Sequence, residues 1–279
     1  MLYFLGLVMV LMLMVNVLFS NVIIWWSVFV MSAVVFIWMS KVEGSMAGMV
    51  NYFIIQESGG LIFLFFSGSV LQFLMLLVMS GVAPLHFWIF SVGLDLKGIM
   101  LVWFLLVQKL PFLPIIAAIY EFVYFYILIF GLLVCHLQYL VLSSDAKMIM
   151  ISSTESFSWL VVMLCWGYVS YVFLVGVYVL GMMILLKSTS KDTYVNSLGW
   201  SGLLVLMNFP LGLVFLSKYY VLSLLSSQNF IVLVLFFSVV LIYMCMALWV
   251  VGLTMTKSGL WSSNMSIYLL GSVVVLMMI

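Results

Sequence analysis

Four ionisable side chains stand near the middle of long apolar stretches: Glu57, Lys109, Glu155 and Lys218. A charged group at such a depth costs about 2.5 to 3.5 kcal/mol or more to insert into lipid, so pairing or chemistry must account for it. Two acids and two bases make a charge-balanced polar axis. Burial disfavours the charged form of each group and an opposite charge nearby favours it, so the set can be poised to exchange protons. The other role open to it is static pairing that holds helices in register. Glu155 has polar company at helical spacing, with Ser152 and Ser158 three residues to either side and Trp159 four beyond. Lys109 follows Gln108 and precedes Pro111 and Pro114, which bend or end a helix one turn later and free carbonyls for water. Glu57 follows Gln56 among apolar neighbours. His86 comes two residues after Pro84, in a proline-broken run where water or polar neighbours are required, and joins the proton-relay candidates. His136, near the end of its run beside Gln138 and Tyr139, reads as an interfacial residue.

Other chemistries find little footing. Cys135, Cys165 and Cys245 lie on separate apolar runs without CxxC or Cys/His spacing, so neither a zinc site nor a disulfide framework is expected. No phosphate loop or dinucleotide fingerprint occurs, and no redox cofactor or metal is expected on this chain. With eight lysines, no arginine and a net charge of +1, the chain lacks the basic surface that nucleic-acid binding needs.

The elements that position these residues follow from composition. The 279 residues are 68% hydrophobic and 5% charged, with a mean hydropathy of +1.46, which leaves no polar exterior for a water-soluble globule. The expected setting is a lipid bilayer. Cutting at charged and Gly/Ser/Asn-rich breaks gives eleven apolar runs, at roughly 2–20, 22–40, 46–67, 69–91, 98–118, 120–141, 146–166, 168–187, 199–226, 229–254 and 260–279. Most approach the roughly 20 residues that a membrane-spanning helix needs. The runs are too long for strands and show no two-residue alternation, so the expected fold is an all-α, polytopic membrane protein of about eleven helices. The first run lacks the basic flank of a signal peptide and is expected to be retained.

Lys41, Lys97, Lys147, Lys187, Lys191 and Lys257 all fall in loops after even-numbered runs, whereas loops after odd-numbered runs contain none. The positive-inside rule then places the N-terminus and the even loops on the inner side and the C-terminus outside. Run 4 is broken around Gly81 and Pro84, and run 9 around Asn208, Pro210 and Gly212. Five runs separate the two breaks, the pattern of an inverted repeat built around a mid-membrane site. The expected division is 1–118 for the first repeat, 119–254 for the second, and 255–279 for a final helix.

Several stretches resemble one family. GVAPLHFWIF (81–90), WFLLVQKLPFLP (103–114), KMIMISSTESFSW (147–159) and NFPLGLVFLSKYY (208–220) look like the APxHFW, WQKxxP, SSxxxxxW and PPxxGFxxKW signatures of subunit 2 of mitochondrial NADH:ubiquinone oxidoreductase. NYFIIQ (51–56) resembles that family's KYFxTQ. The resemblance implies an antiporter-like subunit of the complex I membrane arm in the mitochondrial inner membrane, with the N-terminus in the matrix. It implies enzymatic work as part of the whole complex, which uses NAD and ubiquinone, and partners among the other membrane-arm subunits, including neighbouring antiporter-like ones. Lys109 then corresponds to the central relay lysine and Lys218 to the lysine of the second broken helix. Two departures stand out: Phe29 occupies the place of a buried glutamate, and Met79 that of a lysine before the first broken turn. The family's helix 7 histidine is replaced by Ser156, with Glu155 beside it as a substitute. Three functions compete on these residues: a proton-translocating subunit, a bridging scaffold with a closed channel, and a stand-alone cation/proton antiporter.

Overall fold

A computed structural model describes residues 2–40, 46–96, 98–121, 123–141, 145–164, 175–181, 183, 213–224 and 234–240. The expected second break at Asn208–Gly212, most loop lysines and the final run lie outside these residues. Among the described residues every regular element is helical. They belong to two compact units, Met1–Gly131 and Leu132–Ile279.

The first unit opens with α1 (Leu2–Leu18), α2 (Val22–Ser40) and α3 (Met46–Phe65). Asn21 starts α2 by accepting the Ile23 amide on its side-chain oxygen at 3.0 Å, and the Trp25 indole donates to the Phe19 carbonyl at 2.7 Å across the same turn. α2 and α3 are long and apolar enough to cross a membrane. Their polarity is turned inside out. α3 buries Met49, Tyr52, Gln56, Gly59, Gly60 and Phe63 at three- and four-residue spacing, while Val50, Phe53, Ile54, Leu61 and Phe65 are exposed. An exterior of Val, Ile, Leu and Phe around an interior that holds glutamine suits lipid rather than water.

The fourth run is interrupted as its Gly81 and Pro84 suggest: α4 (Val70–Ser80) stops, residues 81–87 turn, and α5 (Trp88–Gly93) continues. Gly81 ends α4 with φ +66°, its amide donating to Val78 at 3.1 Å, while the Val82 amide reaches Leu77 at 2.9 Å. These are the two bonds of a Schellman cap, which needs a residue at ease with positive φ. The Trp88 indole also donates to the Val78 carbonyl, at 2.8 Å, so a polar group released by the break is satisfied within the unit.

The fifth run is also not one helix. α6 (Gly98–Leu105) passes into a tight 3-10 stretch, Val107–Phe112, and then α7 (Leu113–Ile119). Pro111 sits inside the tight stretch, where its missing N–H forbids a regular α-helical ladder. Its carbonyl is taken up by the Asn16 amide group of α1 at 2.8 Å. α8 (Tyr124–Val141) begins in the first unit and ends in the second. At Gly131 a Cβ would run into the Ala83 carbonyl and the Pro84 nitrogen, so α8 crosses the broken turn at backbone contact.

The second unit is described through the end of α8, α9 (Asp145–Leu164), helical residues 175–181 and 234–240, and α10 (Leu213–Leu224). From Met148 to Met163, α9 is buried on every face except at Ser156, as befits a central helix.

Candidate functional site

α9 carries Glu155, whose carboxylate is completely buried. Four polar groups converge on it. Lys218 of α10 brings Nζ to 2.7 Å from Oε1, while the Trp159 indole, one turn along α9, and His136 Nε2, from α8, each lie 3.2 Å from the same oxygen. The Tyr139 hydroxyl donates to Oε2 at 3.3 Å. His136 is held from its other side by Ser238, with Nδ1 2.8 Å from Oγ. Two hydroxyls of α9 are spent locally, Ser158 on the Thr154 carbonyl at 2.8 Å and Thr154 on that of Ile151 at 2.9 Å, whereas Ser153 meets the Tyr178 hydroxyl at 3.2 Å.

Two of the four charges singled out in the apolar runs therefore form an ion pair. The pair is a carboxylate fully bonded by donors, which is the condition for burying charge in an apolar surround. Such a pair can hand a proton from nitrogen to oxygen over one hydrogen-bond length, because donor and acceptor already lie within 2.7 Å. His136 is the residue that the sequence misplaced. It is 4% exposed and bonded to Glu155, so it is interior rather than interfacial. No local signal marks it, since its ring partner Ser238 lies 102 residues away.

Lys109 occupies the 3-10 stretch of the first unit, also 4% exposed. Beside it lies a cavity of about 10 Å³, lined by Tyr52, Gln56, Met79, Ser80 and Gln108 among others. That is the room of about one water molecule. Gln108 donates from Nε2 to the Tyr52 hydroxyl at 2.6 Å, and Gln56 donates to the Met79 carbonyl at 2.9 Å. Gln108 Oε1 is buried without a hydrogen-bond partner, an acceptor that a water in this cavity would satisfy.

The two departures from the family pattern fare differently. Phe29 stacks on Phe112 with ring centroids 4.5 Å apart and meets Phe63 edge-on at 5.5 Å, a buried aromatic cluster. Met79 borders the small cavity beside Lys109, where Gln56, Ser80 and Gln108 meet the apolar faces of Trp88, Ile89 and Phe104. A lysine there would set a second ammonium against the same small space.

The remaining candidates lie elsewhere in the first unit. His86 is fully buried in the broken turn, stacked on Phe87 at 5.1 Å and edge-on to Phe90 at 6.0 Å. Glu57 is half-buried and does not line the Lys109 cavity. Gln56 and Glu57 are adjacent and so diverge by about 100° around the helix, and Gln56 takes the inward direction.

No protein-family model matches the chain. Over 268 residues, 96% of its length, it is 38% identical to NADH-ubiquinone oxidoreductase chain 2 of Ascaris suum and covers 89% of that protein. Over 265 residues, 95% of its length, it is 38% identical to NADH-ubiquinone oxidoreductase chain 2 of Caenorhabditis elegans and covers 94% of that one. Identity of this extent over nearly the whole of both relatives leaves no room for a shared fragment on a different protein, and the chain belongs to the NADH-ubiquinone oxidoreductase chain 2 family.

Proposed function

We propose that this chain, as a subunit of NADH-ubiquinone oxidoreductase in the mitochondrial inner membrane, moves protons through buried acid–base contacts and holds no redox group of its own. NAD and ubiquinone are handled elsewhere in the complex. The observation that carries this reading is the Lys218–Glu155 pair, 2.7 Å apart and buried within a unit whose exposed side chains are largely apolar. A purely structural core would be at least as stable with a well-packed apolar pair in its place, so retention of the charges favours a working role. Lys109 with its water-sized cavity is a second proton-holding position, and Glu57 and His86 are secondary candidates. The partners are neighbouring antiporter-like subunits of the membrane arm and the surrounding lipid.

The test is the number of protons moved per NADH oxidised by the complex in sealed vesicles. Lys218→Met and Lys109→Met are each expected to lower it. The Phe29 cluster favours a second reading for the first unit, a closed and structural half. Lys109→Met with an unchanged ratio would establish that second reading, and an unchanged ratio in both variants would sink the proposal.

The eleven runs form two inverted five-helix repeats and a final helix on this reading. The interruption at Pro84 supports this, because the sequence repeats its Pro/Gly pattern at Asn208–Gly212. The lysine pattern puts the N-terminus and even loops in the matrix and the C-terminus in the intermembrane space. Single cysteines at Lys147 and Ser227 are expected to label from the matrix side and the intermembrane-space side respectively. The reverse order, or equal labelling, would overturn the topology.

A further inference from the structure

His136 has no part in any proton role read from the sequence, yet both nitrogens of its ring have partners. The Ser238 hydroxyl donates its single hydrogen to the Leu235 carbonyl at 2.7 Å, which leaves Ser238 Oγ as an acceptor. Nδ1, 2.8 Å away, must then be a protonated nitrogen. On the other side Nε2 lies 3.2 Å from Glu155 Oε1. Nε2 is then the nitrogen that can take up or release a proton, and its contact with Oε1 is strongest when a proton lies between the two atoms. One carboxylate oxygen is thus shared by two bases, Lys218 and His136. A buried site of this kind is neutral when one base is cationic and the other is not, so the cation can change places across Glu155 without a net charge being added.

We propose that His136 is a proton carrier of this site and Ser238 the residue that positions it; this rests on reading the Glu155 cluster as a proton relay. The Lys218 ammonium gives one proton to Glu155, and Glu155 passes it to Nε2 of a neutral His136 whose Nδ1 is already protonated. One N–H bond is broken on Lys218 and one is made at His136 Nε2. Lys218 ends as an amine, Glu155 as the carboxylate it was, and His136 as an imidazolium; no electron moves. Ser238 matters because it fixes the tautomer in which Nε2 is open. The other tautomer already has a hydrogen at that nitrogen and cannot take a second.

The experiment compares Lys218→Met, His136→Gln and Ser238→Ala in the assembled complex, reading protons moved per NADH oxidised in sealed vesicles. Glutamine keeps an N–H donor for Glu155 but cannot take up a proton, so a merely structural histidine would be replaced without loss. The expected result is that His136→Gln and Lys218→Met lower the ratio by the same step and that combining them lowers it no further. A reduced ratio in Lys218→Met with a wild-type ratio in His136→Gln would overturn the role of His136 and leave the relay standing. Wild-type ratios in both would overturn the relay itself. If His136→Gln prevents assembly, Ser238→Ala decides, since it leaves the partners of Glu155 in place: a lowered ratio supports the proposal and an unchanged one refutes it.

Discussion

Glutamine at position 155 is expected to end proton movement through the second unit and to weaken the subunit within the complex. Glu155 is the acceptor for Lys218, His136, Trp159 and Tyr139 together. An amide carries no charge for Lys218 and turns an NH₂ into a group that includes the Lys218 ammonium and the Trp159 indole, which can only donate. Removing one partner of a buried ion pair costs about 3 to 5 kcal/mol, because the other charge is left without compensation. Lys218 then sheds its proton or α10 moves. Glu155→Asp retains the charge but draws it back by one methylene, and is expected to lose less. Native-gel assembly and the half-life of NADH:ubiquinone activity on heating would rank the variants as wild type, Glu155→Asp, Glu155→Gln. A Glu155→Gln complex with normal heat stability and a normal proton ratio would show that the carboxylate is dispensable.

Alanine at position 131 is expected to be the most damaging small change in the first unit. Within a helix, alanine for glycine ordinarily gains roughly 0.5 to 1 kcal/mol. Here the new Cβ would overlap the carbonyl of Ala83 and the nitrogen of Pro84, which are backbone atoms of the broken turn and cannot rotate away. Overpacking of well-packed cores costs typically 1 to 3 kcal/mol even where side chains can yield, and more is expected here. Gly6→Ala is the control, since a Cβ there meets nothing within 4 Å. The expected outcome is normal assembly for Gly6→Ala and loss of assembled complex for Gly131→Ala on native gels. Equal assembly of the two would mean that α8 does not press on the break.

Much of this was legible in one dimension. Apolar runs bounded by charge and Gly/Ser breaks correspond to the helices from α1 to α9, one to a run except in runs 4 and 5, which hold two α-helices each. The interruption at Pro84 was legible too, since glycine and proline act through local backbone geometry. What could not be read was the facing of side chains. Gln56 and Glu57 look alike as polar residues in α3, and which one turns inward depends on what α3 packs against. His136 next to Gln138 and Tyr139 carries the composition of a membrane interface, but its burial is set by Glu155 and Ser238, 19 and 102 residues distant. The pairing of Glu155 with Lys218 had no sequence signal beyond the cost of leaving either alone.

The ring of Phe29 has a mechanical consequence. Phe112, on which it stacks, lies three residues beyond Lys109 in the same 3-10 stretch, where side chains three apart eclipse one another. Phe29 therefore grips the edge of the segment from which Lys109 projects, and the shape of the side chain at position 29 bears on the anchorage of the lysine. Where the family pattern puts an acid that could speak to this region through charge, this chain has put a clamp.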